Sequence, residues 1–403
     1  MTLPDTRGYG EEMGAARGRV LVTDGMQRKA LAAVRGLHRA GFEVIVGEST
    51  RFAPALFSRR AHAWFVYPPP RESPEAFLRV LEGALRRHRC DVLLPMEEET
   101  LLVVLGARER LERWARLPFP DRSLIERLRD KGNLAGLALF AGVPVPRTVS
   151  VPAGGDPVQA AAALRFPVVV KPRVSTGAYG LRYVDRPENL AGVWASVHAR
   201  FPGPLIQERL PAGGEARCVT LFLDPEGVVR GAFAHRRLRE YPVTGGAGTW
   251  RESLHAPAET AAAVRLLRAA GWWGVAHVEF KRDLRDGRFR LLEVNPRFAG
   301  SLHLAIESGV DFASLLVRWS LGEAVEAPGY PEGIQARWLL PGDLLAFLAR
   351  LRQGRFDLDF FRWGGWRLRF DDWGDGDWFA VVGAALAAGP MVTRHEFRRL
   401  LWR

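Results

Sequence analysis

"FRLLEVNPRFAG", residues 289 to 300, is the stretch whose reading decides the fold. In a strand, residues two apart share a face, so Glu293 and Asn295 lie on one side and Leu292 and Val294 on the other. The apolar side belongs to a core. The other side carries a carboxylate and an amide, followed at once by Pro296 and Arg297. Upstream, "VAHVEFKRD" (275–283) and this strand flank "LRDG", which predicts a hairpin closed by the three-residue loop Arg285-Asp286-Gly287, with Gly287 left-handed. That register sets Glu279 directly across from Glu293 on one face. Facing carboxylates repel unless something cationic lies between them. With the Asn295 amide oxygen they make a hard, all-oxygen set suited to magnesium bridging a bound phosphate. The alternative is the solvated outer face of an ordinary hairpin.

Bulk properties narrow the class. A chain of 403 residues with 47% hydrophobic and 25% charged content is a soluble globular protein of two or three domains. Residues 1–17 read as a disordered leader with no apolar core for a signal peptide. The apolar stretch near 379–392 is too short and too broken by Gly and Pro to span a bilayer. Cys90 and Cys218 each sit in an apolar run and read as reduced core residues, which places the protein in the cytoplasm. A net charge of +12 raises the question of nucleic acid, but the arginines are scattered and form no basic run with interleaved aromatics. Neither a nucleic acid nor a membrane is expected as a partner. Only four of the 57 basic residues are lysine: Lys29, Lys131, Lys171 and Lys281. Each therefore marks a place where a compact ammonium is wanted.

From "GRVLVTDG" (18–25) to "CDVLLPM" (90–96), strands alternate with helices at lengths that imply a parallel, Rossmann-like sheet. The first turn, "TDGMQRKA", lacks GxGxxG, which argues against a dinucleotide there. The pattern changes near 116, where "DRSLIERLRDKGNLAGLALFAGVPVPRT" predicts two short helices ending at Gly142. "VVVKPRVSTGAYG" then delivers Lys171 from a strand into a loop containing Ser175, Thr176 and Gly177, whose backbone N–H groups can close over phosphate oxygens. "LIQERLPAGGEA" is an extended segment with backbone groups free to pair with an adenine edge. Glu208 and Glu215 lie within hydroxyl reach of it. The plain alternatives are a hairpin loop and an edge strand with surface glutamates.

In this order the pieces resemble the ATP-grasp superfamily, over roughly residues 18 to 325. Within it the likeness is to the carbamoyl-phosphate-synthase-like group of carboxylate–amine ligases, D-aspartate ligases among them. The resemblance implies a mixed α/β and α+β architecture. A Rossmann-like pre-ATP-grasp domain (18–115) precedes an ATP-grasp domain (116–325) of two subdomains clamping ATP, with a mobile lid at about 145–207. A Trp-rich C-terminal extension (326–403) matches nothing in the family. The resemblance further implies ATP contacts at Lys131, Lys171, Ser175, Thr176 and Gly177. Gln207, Glu208 and Leu210 would lie against adenine, and Glu215 on ribose. Magnesium ligands fall at Glu279, Glu293 and Asn295, with manganese (Mn2+) able to replace Mg2+. Arg297 matches the arginine that steadies the transferring phosphoryl group, so Arg297 and Lys171 are the catalytic pair.

Such enzymes activate a carboxylate as an acyl phosphate, which an amine displaces. Partners would be small carboxylates and amines, amino acids among them, and a homodimer is in keeping with the family. "AHRRLREYPVTGGAGTW" (234–250) is the expected acceptor-side element. There Arg236, Arg237 or Arg239 could clamp a substrate carboxylate, and Tyr241, Gly245 and Gly246 could close over it. His303 is a further candidate as a proton carrier. Asp24, Glu97 and Glu98, at the carboxyl ends of parallel strands, could receive an amino group. Rival readings are a bicarbonate-using carboxylase or carbamoyl-phosphate-type enzyme, and a non-catalytic nucleotide sensor.

Overall fold

A computed structural model describes residues 16–175, 179–243 and 245–393. The first sheet is built from β1 (Arg19–Val22), β2 (Glu43–Glu48), β3 (Ala63–Val66) and β4 (Val92–Leu94), all parallel in the order β3-β2-β1-β4. The helix Arg28–Arg39 that follows β1 is buried along nine of its positions, Lys29 and Arg35 included. Gly36 allows this: a Cβ there would lie 2.3 Å from Asp311 Oδ2, the N-cap of the helix Phe312–Ser320.

A second sheet, ordered β5-β8-β6-β7, comprises β5 (Thr148–Ser150), β6 (Val168–Lys171), β7 (Arg182–Val184) and β8 (Leu205–Glu208). It has its own apolar core of Leu164, Val168, Val170, Leu190, Val197 and Ile206. The large sheet contains β9 (Ala216–Leu223), β10 (Val229–Tyr241), β11 (Ala247–Ser253), β12 (Gly274–Arg282), β13 (Phe289–Asn295), β14 (Gln335–Arg337) and β15 (Leu368–Phe370), in the order β13-β12-β9-β10-β11-β14-β15. One continuous core joins the large sheet to the parallel sheet through residues such as Val20, Leu37, Leu221, Phe233, Phe298 and Phe312.

The β12–β13 hairpin departs from the expected loop. Asp283 N bonds to Arg288 O and Gly287 N to Asp283 O, so the loop is the four residues 284–287, with Gly287 at φ 73°. Near the turn Phe280 faces Leu291, and a bulge between this pair and the next sets Glu279 opposite Glu293. The extra residue breaks the alternation: Leu291 enters the core while Leu292 is only half-buried. The facing carboxylates were anticipated; the route to them was not.

The C-terminal residues are fastened through buried ion pairs. Asp343 accepts from Arg239 Nη1 at 2.8 and 2.9 Å, from Arg337 Nε at 2.9 Å and from Thr249 Oγ1 at 3.0 Å. Asp371 accepts twice from Arg251 at 2.7 Å. Asp377 takes Ser58 Oγ at 2.5 Å and Arg35 Nε at 3.2 Å, tying the tail to the first sheet's helices. Removing one member of such a pair strands a buried charge, at about 3–5 kcal/mol. Asp343→Ala should therefore lower unfolding free energy by about that amount in denaturant titration, whereas the exposed Asp359→Ala should change it by under about 0.5 kcal/mol.

Candidate active site

Glu279 and Glu293 face each other on β12 and β13, and both accept from Asn295 Nδ2, at 3.4 and 3.1 Å. Two residues apart on one face, Glu293 and Asn295 converge as the strand period requires. The repulsion is relieved by cations. Arg237, from β10, pairs directly with Glu279 and also donates to Gly246 O at 3.1 Å. Lys131 Nζ lies 3.8 Å from Glu293 Oε2. Burial alone would push the Glu279 carboxyl up, but Arg237 and the His277 ring hold it well below its ordinary range. His277 Nε2 is 3.6 Å from Glu279 Oε1, and its Nδ1 meets Thr220 Oγ1 at 3.0 Å. Cys218, opposite Glu279 on β9, brings its thiol into the same cluster.

Above the pair stand two ammonium groups. Lys131 opens the helix Lys131–Phe140, capped by Asp130, and its Nζ donates to Ser175 O at 2.9 Å. Lys171 ends β6, and its buried Nζ donates to the neutral Gln207 Oε1 at 2.8 Å. Burial, then Lys131 beside it, push the Lys171 ammonium down to about 7, with Glu293 opposing. A buried ammonium whose side-chain acceptor is an uncharged amide suits an anionic ligand. The facing carboxylates below suit a hard divalent cation. The residues present thus fit a nucleotide phosphate carried on magnesium.

Arg297 follows the hairpin, with Nη2 3.3 Å from Asn295 Oδ1, Nη1 3.1 Å from Phe298 O, and a buried Nε without a partner among the described residues. It is near enough to Lys29 to help lower that ammonium to about 8, after burial and against Glu97. Lys29 Nζ and Glu97 Oε1 are 2.9 Å apart. Of the three acids expected at the strand ends, Asp24 is taken up by Thr23, Thr100 and the N–H groups of Met96 and Glu97. Glu98 is buried against Arg129 at 2.5 Å. Glu97 alone keeps a partly exposed carboxylate, with a third of its side chain accessible.

Other expected site residues fall elsewhere. Arg236 points away from the carboxylate pair, to Glu252 at 2.8 Å and Glu215 at 3.7 Å. Glu215 also pairs with Arg217 at 2.5 Å. Arg239 is buried against Asp343 and Asp357, beyond reach of a substrate. His303 is a buried helix residue packed against Gly374, its basicity lowered by burial. Tyr241 and Gly246 close the β10–β11 turn, where a Cβ on Gly246 would sit 2.1 Å from Tyr241 O; Gly245 takes φ 128° in the same turn. The segment Gln207–Leu210 is not an edge. β8 pairs on both sides, Glu208 N and Arg209 N bond to Arg147 O and Pro167 O, and the Glu208 carboxylate takes Arg165 N and Arg285. Leu210, just beyond, is buried. Thr176 and Gly177 lie outside the described residues. The sequence reading missed His277, Cys218 and the Lys29–Glu97 pair as neighbours of the site. The His-x-Glu spacing at 277–279 and the scarcity of lysine were the available signals.

Residues 224–340 match a family model described as ATP-grasp in the biosynthetic pathway with Ter operon. A putative D-alanine–D-lactate ligase of Streptomyces coelicolor is 31% identical over 56% of this chain and 68% of its own length. The carbamoyl phosphate synthase large chain of Thermomicrobium roseum is 24% identical over 83% of this chain, which spans 32% of that protein. In fold, the chain is similar to biotin carboxylase from Campylobacter jejuni, with a TM-score of 0.64, 18% identity, and 77% of this chain and 72% of that one covered. The L-amino acid ligase of Bacillus licheniformis gives 0.57 at 18% identity, covering 77% and 76%. The chain belongs to the ATP-grasp family. It is an ATP-dependent ligase of that family, as the ordered motifs implied.

The Lys171 environment has a pH consequence. Its folded value, about 7, lies below the ordinary 10.5, so between those values the unfolded chain binds a proton that the folded chain does not. Stability therefore rises with pH across that window. A phosphate beside Nζ restores the proton, so ADP binding at about pH 8 should be accompanied by net proton uptake. Calorimetry in buffers of different ionisation heat measures this. Lys171→Met should abolish the uptake, and buffer-independent heats in the unaltered chain would contradict the assignment.

Proposed function

We propose that this enzyme activates a small carboxylate, an amino acid or hydroxy acid, as an acyl phosphate and transfers the acyl group to an amine, forming an amide. A carboxylate oxygen attacks the γ-phosphorus and the bond to the ADP oxygen breaks. The amine nitrogen then attacks the acyl carbon, phosphate departs, and the nitrogen loses a proton. The observation that carries this reading is the convergence of Glu279, Glu293 and Asn295 with the ammonium of Lys131, facing the phosphate-ready Lys171. Phosphoryl transfer asks the protein mainly for alignment and charge neutralisation, which such an array supplies.

Glu279, Glu293 and Asn295 would hold magnesium, or manganese in its place, and the ion would neutralise phosphate charge. Lys131 and Lys171 would bind phosphate oxygens, with the Ser175 backbone and the loop beyond it closing over them. Adenine would lie along the stretch from Gln207 to Leu210. Since the N–H groups of Glu208 and Arg209 are already bonded, its contacts fall on what lies beyond Arg209. Glu215 would reach ribose by exchanging its contact with Arg217. Arg297, with an N–H to spare, would steady the transferring group. Arg237 is the member of its arginine trio set beside the carboxylates, and the clamp on a substrate carboxylate falls to it. Glu97, paired with Lys29, would receive the amino group. The strands β5–β8 would act as the lid over the nucleotide, within the domain limits drawn from the sequence. A homodimer and a cytoplasmic setting belong to the same reading.

The test is ADP release over pairs of amino and hydroxy acids with magnesium and ATP. Release that requires an amino acid acceptor supports the proposal; release driven by bicarbonate alone would replace it with the carboxylase reading. Glu293→Gln and Lys171→Ala each remove one electrostatic partner of the transition state, about 3 kcal/mol or roughly a hundredfold in turnover. Both variants should keep the unaltered circular dichroism. Turnover within about tenfold of the parent would count against the roles of Glu293 and Lys171.

A further inference from the structure

We propose that residues 348–367, with the adjoining face of the final helix Trp378–Thr393, form a surface by which this protein docks onto an anionic lipid membrane. Large apolar side chains are exposed on this segment in unusual density. Leu358 is 75% exposed and Trp366 74%, and Leu351, Phe356, Phe361 and Trp363 are each about half exposed or more. A patch of this kind on a soluble domain marks a contact surface.

The exposure is built in rather than slack. Beneath the segment, buried Arg337 donates to Arg362 O at 2.7 Å and to Phe360 O at 3.1 Å. Asp357 is gripped by Arg239 at 2.7 Å and Arg350 at 3.0 Å. Phe360 stacks on Phe347 at 4.3 Å. The backbone is thus bolted from the inside while Leu358, Phe361, Trp363 and Trp366 project outward. A run of stacked rings, Trp363, Phe370, Trp373 and Trp378, carries the surface to the final helix. That helix has no charged residue from 378 to 393 and exposes Phe379, Val382 and Leu386.

Charge selects the occupant. Arg355, Arg362 and Arg367 are exposed among these side chains, and among the described residues none of the three is in an ion pair. Arg367 instead lies over the Trp366 ring at 4.4 Å. Within 348–367 the acids are Asp357, held by Arg239 and Arg350, and the exposed Asp359; beyond it Asp371 and Asp377 are buried and Asp372 is half-buried. Two copies meeting on this face would bring guanidiniums together, which disfavours self-association. A nucleic acid would use the rings but not Leu351, Leu358, Val382 or Leu386, which offer no face for a base to stack on. Aromatic and aliphatic side chains interspersed with arginine match the boundary between anionic headgroups and acyl chains. No helix among the described residues is long and apolar enough to cross a membrane, and surface docking requires none.

The experiment is co-sedimentation of the full chain with vesicles of phosphatidylglycerol and phosphatidylcholine, against phosphatidylcholine alone. Binding at least about tenfold tighter to the anionic vesicles, and weakened by salt, is expected. The triple variant Leu358→Ser/Phe361→Ser/Trp366→Ser should lose that binding while its melting temperature and ADP binding stay unchanged. Should it unfold, Arg355→Glu/Arg362→Glu/Arg367→Glu, which touches only exposed charge, should lose the preference for anionic vesicles instead. Absence of vesicle binding, indifference to lipid charge, or undiminished binding by a folded variant overturns the proposal. So does a dimer that the triple variant dissociates, or tighter binding to a single-stranded oligonucleotide than to vesicles.

Discussion

Two carboxylates set against each other across a β-ribbon are the constraint around which this molecule is arranged. Glu279 and Glu293 would repel if left alone, and every neighbour answers that charge. Arg237 reaches across from β10, Lys131 leans in from a helix N-terminus, and Asn295 donates to both. On the proposed reading the arrangement would receive a cation that arrives with its own anion. With the carboxylates already partnered by protein cations, such binding would be an exchange of partners instead of the creation of charge in a dry crevice. Lys171 is the complementary half. Its burial beside a second ammonium is unfavourable until an anion comes between them.

Much of this was legible from the residues alone. Alternating strands and helices of ordinary length declared the parallel sheet, and the turn at Gly287 declared the hairpin. The facing glutamates were expected from a three-residue turn, and the four-residue loop with its bulge restores the same pairing. At the hairpin and along β10, where the reading failed, the cause was a bulge. A single extra residue near Leu292 shifted the register at the turn, and irregularities between Arg237 and Glu240 separated Arg237 from Arg239. Period-two reasoning put those two arginines on equal footing. The structure gives one to the carboxylate pair and the other to Asp343. Nothing local in "RRLREY" announces this, because the partner of Arg239 lies a hundred residues downstream.

Three of the four lysines lie near the candidate site, while Lys281 sits half-buried near the end of β12. Lys131 and Lys171 both act on Glu293, and Lys29 lies near Arg297 and Glu97; they come from the helix Lys131–Phe140, from β6 and from the helix Arg28–Arg39. In a chain that otherwise uses arginine, these positions keep a group that can give up its proton as its surroundings change, which a guanidinium does not. Asp24 shows the opposite lesson. Its place at a strand end suggested a ligand contact, yet its oxygens knit the first turn to the start of the helix Glu98–Gly106, which follows β4. Only the full set of its neighbours distinguishes a structural acid from one that could meet a substrate.

The separate core of the small sheet bears on how the proposed lid would open. Leu164, Val168, Val170 and Ile206 pack within that sheet. What crosses to the rest of the molecule includes Arg173 to Asp130, the Lys131 N–H to Arg173 O, Lys131 to Ser175 O, and Arg285 to Glu208. These are links that water can replace one for one. On the proposed lid reading, swinging the small sheet aside would exchange these polar links for water while its own core stays packed.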